Sequence, residues 1–229
     1  MARKTKEDTQ KTITAILDAA EQVFCIHGVA KATIAQIADA AGVSKGAVYG
    51  HFDDKIEVCI AVCERGVADL RLAMSSPVPG KPLESLYRWG MEHMRLFNDS
   101  KSYRNVGEIL WMKCERSPEF ERIHRIREIW EEKAFRFVEK CIRRAIATGD
   151  LPPGTDPELS NLYLHSVLDG LMATCYYTDR ISPDKIMEHT GRMLRMGLLS
   201  ISRLMWDEVN IPEDRFFQTL RRGNVALKK

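Results

Sequence analysis

The sequence predicts an all-α chain, and three observations carry that prediction. Every extended apolar pattern repeats at helical spacing. The breaks between patterns are built from Gly, Pro, Asn, Asp and Ser, the residues that stop and start helices. No pair of alternating runs flanks a short turn of the hairpin kind. Of the 229 residues, 45% are hydrophobic and 29% charged, so the chain can bury a sizeable core as one large or two modest domains.

Over residues 10–27, Ile13, Ile16, Leu17, Ala20, Val23 and Phe24 recur on one helical face, and Gly28 ends the pattern. Thr33 is placed to cap a short helix whose apolar face is Ile34, Ile37, Ala38 and Ala41. Gly42 stops that helix, because a sharp helix end needs the left-handed conformation that only Gly adopts cheaply. Ser44 caps a second short helix, with Ala47 and Val48 facing inward and Lys45, Tyr49 and His51 outward. Two short helices joined by a tight Gly-containing turn form a helix-turn-helix, and Phe52 is expected to close its core.

Asp53 and Asp54 open the next helix, expected over residues 54–74, where acidic side chains favour a helix N-terminus. Ser75, Ser76, Pro77, Pro79 and Gly80 break it. Further helices are expected over residues 81–98, 102–116, 118–148, 156–178 and 182–206, which makes about nine in all. Pro118 and Pro183 fit first-turn positions, where a missing N–H costs nothing. The domain reading is 1–55 for DNA binding, 56–211 for a helical ligand-binding and dimerisation domain, and 212–229 for a basic tail.

A net charge of +2 leaves nucleic-acid binding to local clusters such as Arg3, Lys4, Lys6 and Lys11. No run of some 18 apolar residues marks a membrane span, and residues 1–10 lack the apolar centre of a signal peptide. The six cysteines are scattered, as reduced thiols of a cytoplasmic protein would be. Cys59 and Cys63, one helical turn apart, are expected to be buried small hydrophobes. His124, His165 and His189 show no metal-ligand spacing. With no Gly-rich phosphate loop, zinc signature or nucleophile motif, the chain is expected to be no enzyme and to need no metal or cofactor.

Lys45 and His51 can donate to phosphates or guanine acceptors, Tyr49 offers a hydroxyl on a rigid ring, and Gly46 and Ala47 permit close approach to a groove. Gly50 removes a side chain that would face DNA. The middle helices carry large adaptable side chains with polar groups on the same faces. The ligand-binding candidates are Trp89, His93, Met94, Phe97, Glu108, Trp111, Phe137, Val138, Cys141, His165, Asp169 and Met172. Gly107 leaves room beside them. The last two long helices are too apolar for one buried face each, which points to a homodimer.

Ile37-Ala38, Ala41 to Ser44, Lys45 to Tyr49, and His51-Phe52 with Lys55 resemble the DNA-binding domain of TetR-family transcriptional repressors. Ile16 to Ala20 with Phe24 and Gly28 is similar to that family's first helix. The first ten residues, the segment from Glu108 to Glu115, and Asp169-Gly170-Leu171 look like the drug-efflux-pump repressors of the AcrR and TtgR kind. The resemblance makes Thr33 a phosphate-contacting cap and Lys55 a phosphate grip, beside Ser44, Lys45, Gly46, Ala47, Tyr49 and His51 in the recognition segment. It implies a homodimer on a palindromic double-stranded DNA operator, released by a small hydrophobic or aromatic effector and controlling a multidrug efflux operon. A repressor of a metabolic operon with a narrow ligand, and a nonspecific architectural DNA-binding protein, remain the alternatives.

Overall fold

The computed structural model describes residues 6–68, 77–177 and 182–203, and among these every regular element is helical. The expected basic residues Arg3 and Lys4, helix positions 69–74 and 204–206, and the tail 212–229 lie outside the described residues. Helix α1 spans Lys6–Lys31, with a kink at Gly28 (φ 74°), where the apolar pattern ends. Helices α2 (Ile34–Ala41), α3 (Lys45–Tyr49) and α4 (Lys55–Gly66) follow. Next come α5 (Pro82–Asp99), α6 (Lys101–Glu108), α7 (Glu121–Thr148), α8 (Pro157–Tyr177) and α9 (Pro183–Arg203).

Helix α1 is long and apolar enough by composition to cross a membrane. Its apolar face is instead spent inside the protein: Ile16, Ala20 and Phe24 are fully buried, and the helix packs on α2 and α4. Burying such side chains stabilises by roughly 1.5–3 kcal/mol each. Val48 and Phe52 complete this first core, which continues into the rest of the molecule as one apolar cluster ending at Ile201.

Two elements depart from the helical pattern of the sequence. The helix expected over 54–74 leaves helical geometry at Val67 (φ −102°, ψ 4°). Just before it, a Cβ on Gly66 would stand 2.5 Å from Val106 Cγ2, so the glycine is where α4 presses against α6. The helix expected over 102–116 is α helical only to Glu108, and Ile109–Lys113 forms a π-helical turn. The wider turn buries both Ile109 and Leu110 while throwing Trp111 outward, 56% exposed. Pro118 opens a short 3₁₀ turn, Pro118–Phe120, and α7 begins behind it.

Helix α5 lies against α6, α7, α8 and α9; α7 packs on α8, and α8 on α9. Helix α4 touches both α6 and α7, and α1 touches α6 and the π-helical turn. The helix-turn-helix is thus joined to the larger helical body along two helices.

Candidate DNA interface and effector site

The helix-turn-helix is held by short-range hydrogen bonds. Thr33 is extended (φ −127°, ψ 152°); its Oγ1 accepts from Gln36 N, and Gln36 Oε1 accepts from Thr33 N at 2.9 Å. This reciprocal box satisfies two donors that the start of a helix leaves open. Gly42 is left-handed (φ 65°, ψ 30°), and Val43 N donates to Ala38 O at 3.0 Å, which closes α2. Ser44 Oγ accepts from Ala47 N at 3.1 Å and starts α3. Val48 anchors α3 in the core. Lys45, Gly46 and Tyr49 are exposed, while Ala47 and His51 are half-buried. The outer face of α3 therefore presents a cation, a phenol and two small residues.

Lys55 is placed differently from a free phosphate grip. Its side chain is 19% exposed, and its ammonium donates to Ala30 O at 2.9 Å beside Glu119 and above the Phe120 ring. It ties α4 to the chain after the α1 kink.

In the larger body, Trp89 is 4% exposed and sits at the centre of an aromatic and histidine cluster. Its ring lies 5.8 Å from His93, 5.2 Å from His165 and 6.3 Å from Phe137. Phe135 stacks on His165 at 4.0 Å, and Tyr103 Oη is 2.8 Å from His93 Nε2. Helices α5, α6, α7 and α8 each contribute a side chain. Asn161 joins them through its Nδ2, which donates to Phe135 O at 2.9 Å.

Four buried polar atoms in this cluster have no partner: Trp89 Nε1, His93 Nδ1, His165 Nε2 and Asn161 Oδ1. Leaving a buried polar group unpaired costs roughly 1–3 kcal/mol. His165 Nδ1 faces Asn161 O at 3.1 Å, a group that only accepts, so Nδ1 carries the proton and Nε2 is left as an acceptor. Burial, reinforced by the neighbouring His165, pushes the His93 imidazole down to about 4. Burial lowers His165 as well, against the opposing pull of the Asn161 carbonyl. Both rings are therefore neutral at physiological pH.

Beside Trp89, an apolar hollow between Leu86, Leu164, Leu168 and Leu194 of α5, α8 and α9 measures about 10 Å³, against the ~300–1,000 Å³ of a pocket for a drug-sized molecule. A larger groove of about 500 Å³ runs along α7, but Arg136, Glu139, Lys140, Arg143 and Arg144 line it, a charged surface unsuited to an apolar ligand.

The twelve ligand candidates divide. Trp89, His93, Phe137 and His165 come together in the cluster, while Met94, Phe97, Val138 and Cys141 are buried core around it and Met172 is half-buried against that core. Three stand elsewhere. Trp111 is on the surface, Glu108 pairs with Lys113 at 3.5 Å, and Asp169 is exposed, with partial burial and nearby Glu131 raising its carboxyl pKa. The space expected at Gly107 is occupied by the Tyr176 hydroxyl, which donates to Arg104 O at 2.8 Å. Sequence reasoning missed Tyr103 and Asn161. Asn161 carried a signal, one turn before His165; Tyr103 carried none.

Cys59 and Cys63 are buried. The hydrogen bond of the Cys59 thiol to Cys63, together with burial, raises the Cys59 thiol, the environment of an inert cysteine. No group of three or more metal-ligating side chains occurs among the described residues.

Residues 16–62 match the family of bacterial regulatory proteins, tetR family. Over 176 residues the chain is 31% identical to the HTH-type transcriptional regulator TtgR of Pseudomonas putida, covering 75% of this chain and 83% of that one. The chain belongs to the TetR family. This TetR-family regulator is also similar in structure to MexZ, a repressor responsible for antibiotic resistance in Pseudomonas aeruginosa. That likeness has a TM-score of 0.77 at 42% identity and covers 86% of this chain and 98% of MexZ. It is similar as well to SmeT of Stenotrophomonas maltophilia in its complex with triclosan, with a TM-score of 0.70 at 27% identity, covering 82% and 90% of the two chains. A TetR-family transcriptional repressor similar to multidrug efflux regulators, it is no enzyme.

Proposed function

We propose that this TetR-family repressor binds a palindromic operator as a cytoplasmic homodimer and is released by small aromatic compounds, controlling a multidrug efflux operon. The observation that carries the effector half is the closed cluster around Trp89, where four unpaired polar atoms sit among aromatic rings. An apolar core of ordinary purpose would pair or omit those groups. A ligand with its own hydroxyl or carbonyl pairs them.

Admitting such a ligand among the packed rings of Trp89, Phe137 and His165 requires α5, α7 and α8 to separate. Helix α4 packs on α7, so the separation shifts α4, on whose N-terminal side the recognition helix rides. Exposed Leu159, Leu162, Met193 and Met196 on α8 and α9 supply the apolar face for a second subunit. Two recognition helices then meet half-sites about one helical turn apart, ~34–36 Å. Lys45, Tyr49 and the small Gly46 and Ala47 face the groove, with Thr33, Ser44 and His51 at its edges. Lys55 serves by holding α4 in place.

The test selects duplexes from a random pool and footprints the strongest, then adds aromatic efflux substrates beginning with triclosan. Expected are a discrete palindromic footprint and its weakening by compound. Protection without a discrete site would mean an architectural protein, and a footprint indifferent to every aromatic compound would remove the effector half.

A further inference from the structure

Helix α1 carries one charged residue inside its apolar stripe, Glu21, 7% exposed. Its carboxylate is the meeting point of three helices. Arg65 of α4 donates to Oε2 at 2.9 Å, Ser102 Oγ of α6 donates to the same oxygen at 2.5 Å, and Asn105 Nδ2 of α6 donates to Oε1 at 2.8 Å. Arg65 is also paired with the exposed Asp18 at 2.6 Å. The Cys25 thiol, one turn beyond Glu21, reaches Asn105 O at 3.8 Å. Both carboxylate oxygens are thus spent on partners outside α1.

Helix α6 is only two turns long, and its other face belongs to the effector cluster. Tyr103, between Ser102 and Asn105 in sequence, is the residue that bonds His93. A rotation of α6 that moves Tyr103 must also move Ser102 and Asn105 against Glu21. Gly66 lets α4 approach α6 closely, since a Cβ there would meet Val106.

We propose that Glu21 is a positioning residue for DNA recognition: its buried carboxylate fixes α1, and with it the recognition helix, to the setting of α6 and so to the state of the Trp89 cluster. This rests on the repressor reading above. It adds a direct link from the effector helices to α1 alongside displacement of α4. Because the donors approach in fixed directions, a shifted α6 takes the Ser102 and Asn105 bonds from the carboxylate, leaves it Arg65 alone, and favours a different orientation of α1.

The test uses the full chain and, as probe, the duplex that the wild-type protein selects from a random pool. Amide hydrogen exchange is followed with and without duplex in the wild type, in Glu21→Gln and in Asp18→Asn. In the wild type, duplex binding is expected to change exchange in residues 101–108. In Glu21→Gln that response is expected to vanish and duplex affinity to fall about fivefold or more. Asp18→Asn, which removes only the exposed arm of the network, keeps both. Ser102→Ala combined with Asn105→Ala approaches the same link from α6, is expected to reproduce the Glu21→Gln result, and replaces it should Glu21→Gln fail to fold. A wild type whose 101–108 segment ignores the duplex, or a variant that loses thermal stability yet keeps the response, would overturn the proposal. Failure of the wild type to select any duplex would instead remove the repressor reading on which it stands.

Discussion

The two ends of this protein are built by opposite rules. At the DNA end, the hydrogen bonds that cap α2 and α3 span three to five residues: Thr33 to Gln36, Ser44 to Ala47, Val43 to Ala38. At the proposed effector end, the cluster around Trp89 is gathered from four helices and leaves four polar atoms unpaired. A reading head must hold one shape, and local caps set that shape while Val48 and Phe52 seat it on α1. A sensing site must have two states of similar free energy, and unpaired groups in a closed core narrow the gap to the open one.

Removing the central ring gives the largest expected effect. Trp89→Ala should cost roughly 3–5 kcal/mol of stability, measured by denaturant unfolding, while opening a cavity that small aromatics then fill and restabilise. Trp111→Ala, on the surface, is expected to change stability by less than about 0.5 kcal/mol. Equal effects from the two would erase the distinction drawn between cluster and surface.

Acid is the next lever. His93 and His165 are neutral in the fold and become protonated on unfolding, so the unfolded state binds more protons below the ordinary histidine value of 6.5. Stability should therefore fall as the pH drops from about 6.5 toward 4. His93 accounts for at most about 3 kcal/mol of that loss. Thermal unfolding of His93→Gln across this window should show a shallower decline than the wild type.

At the DNA end the effects fall on binding. Lys45→Ala, present twice in a dimer, should weaken operator binding by roughly 100-fold with little change in melting temperature. A smaller effect is expected from Thr33→Ala, about 1 kcal/mol of stability through the lost cap, with weaker protection of α2 amides in hydrogen exchange. If Thr33→Ala instead unfolded the whole chain, the DNA end would not be the locally held unit described.

The same contrast governs what the sequence revealed. Thr33, Gly42 and Ser44 act on neighbours within one turn, so their residue types and spacing sufficed to read the helix-turn-helix. Trp111 was misplaced because helical periodicity assumes α geometry, and the π-helical turn at Ile109–Lys113 shifts every side chain after it. Tyr103 looks like any tyrosine until α6 is set beside α5. The small volume beside Trp89 was illegible for the same reason: it belongs to the packing of α5, α8 and α9 together, and to none of their sequences alone. Glu21 lies between these cases. Its carboxylate neighbours Ala20, Val23 and Phe24 in the sequence, but its burial and its partners Arg65, Ser102 and Asn105 come only with the fold.

In the proposed mechanism an effector in the Trp89 cluster and the operator compete through one conformational equilibrium. The direct measurement is calorimetric titration of an aromatic effector, triclosan first, into the free protein and into the protein saturated with its selected duplex. The effector should bind the free protein more tightly, by the same factor by which it weakens duplex binding, about fivefold or more. Equal affinity for the free and the operator-bound protein would contradict the account.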